Sequence, residues 1–216
     1  MTFGRNLFCW VALGLLALPA AAPSRASTVA VESTVVDPAD VGERTGVSVF
    51  DPAHTAFGFE LRTRWGQRVR GRFPVYEGVV LELPDGRSQI RIRLATAAVE
   101  VEGSARYAEL ARGEGFFDAA RYPDIEFVSE PHDAALGHDG GPLRGRLTMH
   151  GISRRETFVV APSTCSRPGR DCDAVASGSV DRSNYGIDGL RLVLADRVRF
   201  TLRVRLQDER LPDAMP

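Results

Sequence analysis

Four histidines, one close cysteine pair and a few acidic clusters are the side chains whose spacing invites a chemical reading. His54 follows Pro52 by two and His150 precedes Gly151. Either ring could hydrogen-bond a ligand head group at the edge of a site, and turn stabilisation is the preferred reading of both. His132, Asp133, His138 and Asp139 offer nitrogen and oxygen ligands. They lie in a Gly/Pro-rich stretch at a spacing that fits no metal motif, so no metal site is expected. Arg182, with Asp181 and Tyr185, could address an anionic head group, although an Asp-x-Ser-Asn turn satisfying its own hydrogen bonds is preferred. Glu77 and Glu82 form no recognisable acid–base pair. The chain contains no Gly-x-Ser-x-Gly elbow, no His-Glu-x-x-His and no Asp-rich diphosphate site. No catalytic residue and no cofactor are therefore expected, beyond a non-covalently held lipid.

The cysteines point to a compartment. Residues 1–26 run from a basic Arg5 through an apolar stretch, Leu7 to Leu18, to small residues ending Ser24-Arg25-Ala26. That is a secretory signal pattern, too short to span a bilayer, with cleavage expected after Ala26 and a periplasmic or secreted product. Cys9 would leave with it. Cys165 and Cys172 then remain as a pair around Ser-Arg-Pro-Gly-Arg-Asp, which reads as a disulfide in an oxidising compartment. Removing residues 1–26 takes Arg5 and Arg25 from the 27 basic side chains and none from the 28 acids, leaving a charge of about −3. That balance argues against a nucleic-acid footprint. All the basic residues are arginine.

These groups must be positioned by strands. In Ser88–Ala95, Ile90, Ile92 and Leu94 alternate with polar residues. In Asp196–Leu206, Val198, Phe200, Leu202 and Val204 alternate with arginines and Thr201. Period-two alternation marks strands with one buried face, and the desolvation cost of arginine fixes which face that is. Further strands are expected over Thr55–Arg62, Val69–Glu77, Gly78–Leu83, Ile125–Glu130, Leu143–Met149, Thr157–Ala161 and Ala174–Asp181, with Gly/Pro/Asn/Asp turns between them. Only Ser104–Arg112 looks helical. The pattern predicts an all-β fold of eight or nine antiparallel strands, a barrel or sandwich. It occupies residues 47–207, between an unpatterned arm at 27–46 and a tail at 208–216.

Five motifs in order resemble the YceI-like family of periplasmic lipocalin-like proteins. They are Asp51-Pro52-Ala53-His54-Thr55 with Phe57 and Phe59; Arg70-Gly71-Arg72-Phe73; Gly115-Phe116-Phe117-Asp118 with Tyr122-Pro123-Asp124-Ile125-Glu126-Phe127; Leu147-Thr148-Met149-His150-Gly151-Ile152; and Asp181-Arg182-Ser183-Asn184-Tyr185-Gly186-Ile187. The resemblance implies an eight-stranded antiparallel lipocalin-like barrel with one short helical segment. It also implies a polyisoprenoid ligand, such as a prenyl quinone or prenyl phosphate, and no catalysis. Two departures stand out: Tyr107 follows Arg106 where the family usually has an aspartate, and one extra residue falls between Leu110 and Phe116.

A barrel of this size is either filled by its own side chains or hollow enough for one small ligand. The expected ligand-binding set is Phe57, Phe59, Ile92, Phe127, Phe158 and Phe200, with His54 at the mouth. The same phenylalanines could equally fill a closed core. The expectation is an exported carrier for one long apolar chain. The alternatives are a filled barrel serving as a stress or adhesion protein, or a lipid-modifying enzyme.

Overall fold

The computed structural model describes residues 46–103 and 105–207. The expected signal segment, the tail at 208–216 and the arm, apart from Gly46, lie outside the described residues. Twelve strands follow in chain order: β1 Gly46–Val49, β2 Ala56–Thr63, β3 Arg68–Arg72, β4 Tyr76–Glu82, β5 Arg87–Ala95, β6 Glu100–Val101, β7 Asp124–Ser129, β8 His132–Asp133, β9 Gly141–Met149, β10 Ile152–Val160, β11 Ala174–Asp181 and β12 Leu194–Val204. Two helices accompany them, α1 Ala105–Arg112 and α2 Leu136–Asp139. The strands pair antiparallel in the order β1-β4-β5-β7-β9-β10-β11-β12-β2-β3-β6, with β8 beside β5. The sheet curls into a half-barrel, and a bridge between Phe50 and Leu206 ties the end of β1 to the end of β12.

The alternation produces this register directly. Ile92, Leu94, Val198 and Phe200 are buried in one continuous core, while Ile90, Leu202 and Val204 are half-buried against it. On the opposite face Arg93 meets Glu126 at 2.9 Å, and Arg197 lies 3.5 Å from Asp181. Such exposed pairs add little energy, but their presence shows which face is wet. Two arginines are less exposed than alternation predicts. Arg91 reaches sideways to Gln89 at 3.3 Å, and Arg205 closes on Asp173 at 2.7 Å.

Three strand expectations need correction. The expected count of eight rises to twelve because the short strands β1, β6 and β8, too brief to show a period, add to nine longer ones. The segment Val69–Glu77, expected as a single strand, breaks at Phe73-Pro74-Val75. Pro74 has no N–H to give a ladder, and the two pieces take different neighbours, β2 and β6 against β1 and β5. Finally, β10 begins at Ile152, five residues earlier than expected. Its polar start has partners off the sheet: Arg154 donates to the Asn184 carbonyl at 2.8 Å, and Glu156 accepts from Tyr185.

The β9–β10 hairpin turns through His150 and Gly151, both with positive φ, as a two-residue primed turn requires. His150 Nδ1 lies 3.1 Å from the Tyr185 carbonyl and its ring packs on Tyr122 at 4.6 Å. This histidine holds a turn.

Cys165 and Cys172 are bridged. Their loop also seats the chain end: the Leu206 N–H donates to the Gly169 carbonyl at 2.6 Å, and Arg170 donates to Ser48 Oγ at 2.9 Å. Reduction should therefore lower the unfolding free energy by about 2.5 kcal/mol, the chain-entropy value for a loop of about eight residues. Denaturant titration with and without reductant, and alkylation of unreduced protein that labels neither cysteine, check this.

Candidate ligand site

The inward faces do not fill the half-barrel evenly. At one end, a cavity of about 330 Å³ opens between β2, β3, the start of β12, α1 and the segment 182–194. Leu61, Val69, Val101, Ala111, Phe117 and Val198 make apolar walls, and Thr63, Gln67, Arg68 and Glu102 mark a polar rim. Its floor is a cluster of rings. Phe59 lies 5.5 Å from Phe73, 6.1 Å from Phe117 and 6.5 Å from Phe200 between centroids. Below that floor a second void of about 30 Å³ runs between Phe57, Ile92, Phe127, Phe158 and Phe200. Phe200 borders both spaces.

Glycines on the neighbouring strands let these rings lie flat. A Cβ on Gly71 would stand 2.3 Å from the Phe59 ring and 2.6 Å from the Glu100 carbonyl. One on Gly178 would stand 2.7 Å from the Phe158 ring. Each ring occupies the space its neighbour's side chain leaves empty, so the strand glycines draw phenylalanine onto the wall and keep the lumen open.

The Asp181–Ile187 motif forms the scaffold on one side. Arg182 is 4% exposed and lines the cavity. Its Nε donates to the Ala195 carbonyl at 3.2 Å, and its Nη1 donates to the carbonyls of Ile187 at 3.1 Å and Gly189 at 2.6 Å. Burial pulls its pKa down, while the charges of Asp196 and Asp188 act the other way. Tyr185 is fully buried and donates to Glu156 at 2.8 Å; burial first, then that bond, push its phenol upward. Asp196 accepts the Ser183 hydroxyl at 2.7 Å, which holds its carboxyl below the ordinary aspartate range.

Of the expected ligand residues, Phe59 and Phe200 border the larger cavity. Phe57, Ile92, Phe127 and Phe158 border only the deep void. His54 borders neither; its exposed ring is hydrogen-bonded to the Asp51 carboxylate in the turn before β2. The cavity instead draws on residues that periodicity did not single out, among them Leu110, Phe116, Ile187, Leu190 and Val193. The available signals were the motifs that carry Phe116, Phe117 and Ile187 and the amphipathic spacing of Ala108 and Ala111, the buried pair of α1. Among the described residues no three His, Cys, Asp or Glu side chains gather closely enough to hold a metal ion. No described helix is long and apolar enough to cross a membrane.

The YceI-like domain model matches residues 49–206, which take in every strand but the first three residues of β1 and all the residues that line the cavity. The chain belongs to the YceI-like family. Among solved YceI-like structures and their fold relatives, Burkholderia cenocepacia BcnA is 19% identical, with a TM-score of 0.60 over 72% of this chain and 98% of BcnA. A polyisoprenoid binding domain from Saccharophagus degradans implicated in plant cell wall breakdown is 14% identical, with a TM-score of 0.54 over 74% of this chain and 98% of that domain. At these identities the likeness establishes the YceI-like fold alone. No curated protein matches the sequence.

Proposed function

We propose that this YceI-like protein is an exported, non-catalytic carrier that shelters the apolar chain of a lipid, with a polyisoprenoid as the natural candidate. The observation that carries the reading is the 330 Å³ cavity with apolar walls, a ring-lined floor and a polar rim. Small-ligand sites have this composition: a mostly apolar enclosure with a few polar groups at the entrance. The choice of a polyisoprenoid rests on the family and on the Saccharophagus degradans domain. Export rests on the signal pattern in residues 1–26, and the disulfide agrees with it.

The volume sets how much chain is held. A cavity of about 150 Å³ takes benzene, six carbons, so 330 Å³ takes about 13 carbons. Each buried methylene contributes about 0.8 kcal/mol, about fourfold in affinity. Affinity for straight-chain fatty acids should therefore climb about fourfold per carbon and level off near 13 carbons, because further carbons stay in water at the rim. Calorimetry across the series tests this, together with organic extraction and mass spectrometry of natively purified protein. If no lipid is extracted and no fatty acid binds, the filled-barrel reading replaces the carrier.

A further inference from the structure

Exposed apolar side chains are not scattered evenly over this protein. Of the ten large ones among the described residues, five stand around the cavity mouth: Trp65, Tyr107, Leu110, Leu190 and Leu192. Tyr107, Leu110 and Leu190 line its edge. Trp65 sits in the β2–β3 turn between the rim residues Thr63 and Gln67 and is 72% exposed. Leu192 sits between Leu190 and Val193 and is 89% exposed.

The two protruding loops are locked to one another. The Arg64 N–H donates to the Val193 carbonyl at 2.8 Å, and Arg64 Nη2 donates to the Arg191 carbonyl at 3.2 Å. Trp65 and Leu192 are thus presented together, beside the guanidinium groups of Arg64 and Arg191. Leu192 buries almost nothing in the protein itself, so its apolar surface faces water at a standing cost unless a partner covers it.

We infer that this rim docks on a phospholipid bilayer surface. Trp65 and Leu192 enter the interface, and Arg64 and Arg191 lie at the level of the lipid phosphates. Tryptophan beside arginine is the combination that suits the headgroup region: the ring is amphipathic and the guanidinium meets phosphate. Two protruding loop tips also suit a soft surface better than a second copy of this chain. A stable protein interface buries roughly 800 Å² on each partner with close complementarity. Docked this way, the mouth opens onto the bilayer, and an apolar chain can pass between membrane and cavity without crossing water. That purpose rests on the carrier reading; the docking itself stands on the rim residues alone.

Tryptophan emission tests the docking. The chain has two tryptophans, Trp10 and Trp65, and protein without residues 1–26, the expected signal segment, carries Trp65 as its only reporter. Adding vesicles of three parts phosphatidylcholine to one part phosphatidylglycerol should shift Trp65 emission to the blue, and brominated lipid should quench it. In a flotation assay, Trp65→Ala with Leu192→Ala should reduce vesicle partitioning at least about tenfold, as expected for losing two inserted apolar side chains. The milder Trp65→Ser alone, on an exposed turn, keeps the test valid if the double variant misfolds, and it should lower partitioning in the same direction. Unchanged emission with vesicles would overturn the inference. So would vesicle binding that needs phosphatidylglycerol yet ignores both substitutions, or self-association in solution that the substitutions abolish. Failure of fatty acids to bind, with vesicle docking intact, would strike the carrier reading and leave the docking surface standing.

Discussion

Replacing Arg182 by methionine should lower the unfolding free energy by about 3 kcal/mol and slacken the cavity wall. Methionine has similar length and keeps most of the packing, but it has nothing to donate. The carbonyls of Ala195, Ile187 and Gly189 would lose their shared partner. A buried acceptor left without a donor costs about 1–3 kcal/mol. Against this stands the relief of no longer burying a charge, which burial already disfavours in Arg182. Relief of that kind makes some buried ion pairs replaceable by apolar residues, but there both polar partners are removed. Here the three carbonyls stay, so the loss dominates. The Ile187–Leu194 segment would be freed on one side, and with it Leu190, Val193 and Leu194 of the cavity wall. Urea unfolding gives the stability, and the fatty-acid series gives the site. Arg182→Lys should fall in between, since one ammonium cannot span three carbonyls. A loss under about 1 kcal/mol for the methionine variant would mean that the segment 187–194 is held by its other contacts.

Phe200→Ala should change both the reach of the site and the stability of the sheet. Phe200 is 7% exposed, and on β12 it faces Phe59 of β2 and Gly178 of β11. Truncating a buried phenylalanine costs about 3–5 kcal/mol, and the lower end is expected because the ring already borders two empty spaces. Its removal joins the larger cavity to the deep void. A ring of six carbons and a 30 Å³ void together add room for about seven carbons, at about 25 Å³ each. The break in the fatty-acid series should move from near 13 carbons to near 20, and Phe200→Leu should move it part of the way. If stability falls while the break stays put, Phe200 is core packing with no part in ligand reach.

These two residues mark where the sequence was and was not legible. Phe200 was visible because it sits in an alternating strand whose other face is arginine, and burial there follows from period and desolvation alone. Its position between two cavities was not visible. The anionic-ligand possibility raised for Arg182 came from its charge; the structure shows that charge spent on three backbone carbonyls. No local pattern signals such a bond set, because its acceptors lie 5, 7 and 13 residues further along the chain. His54 and His150 sit in turns beside proline and glycine, where His54 is hydrogen-bonded to Asp51 and the Nδ1 of His150 lies against the Tyr185 carbonyl.

By itself, the sequence determined the fold class, most strand positions, the inward and outward faces and the cysteine pair. Each of those is a local matter of alternation, turn chemistry or spacing, and the free energy that decides it is carried by neighbours along the chain. The tertiary structure alone decided which inward residues border empty space. That depends on how strand curvature, flattened phenylalanines over Gly71 and Gly178, and two segments outside the strands share one volume. Those segments, 107–117 and 187–193, are placed by bonds between distant residues, such as the Gly189 N–H to the Gly115 carbonyl at 2.7 Å and the Arg64 N–H to the Val193 carbonyl. A cavity is what packing leaves over, so its volume is a property of the closed sheet and belongs to no single stretch of chain.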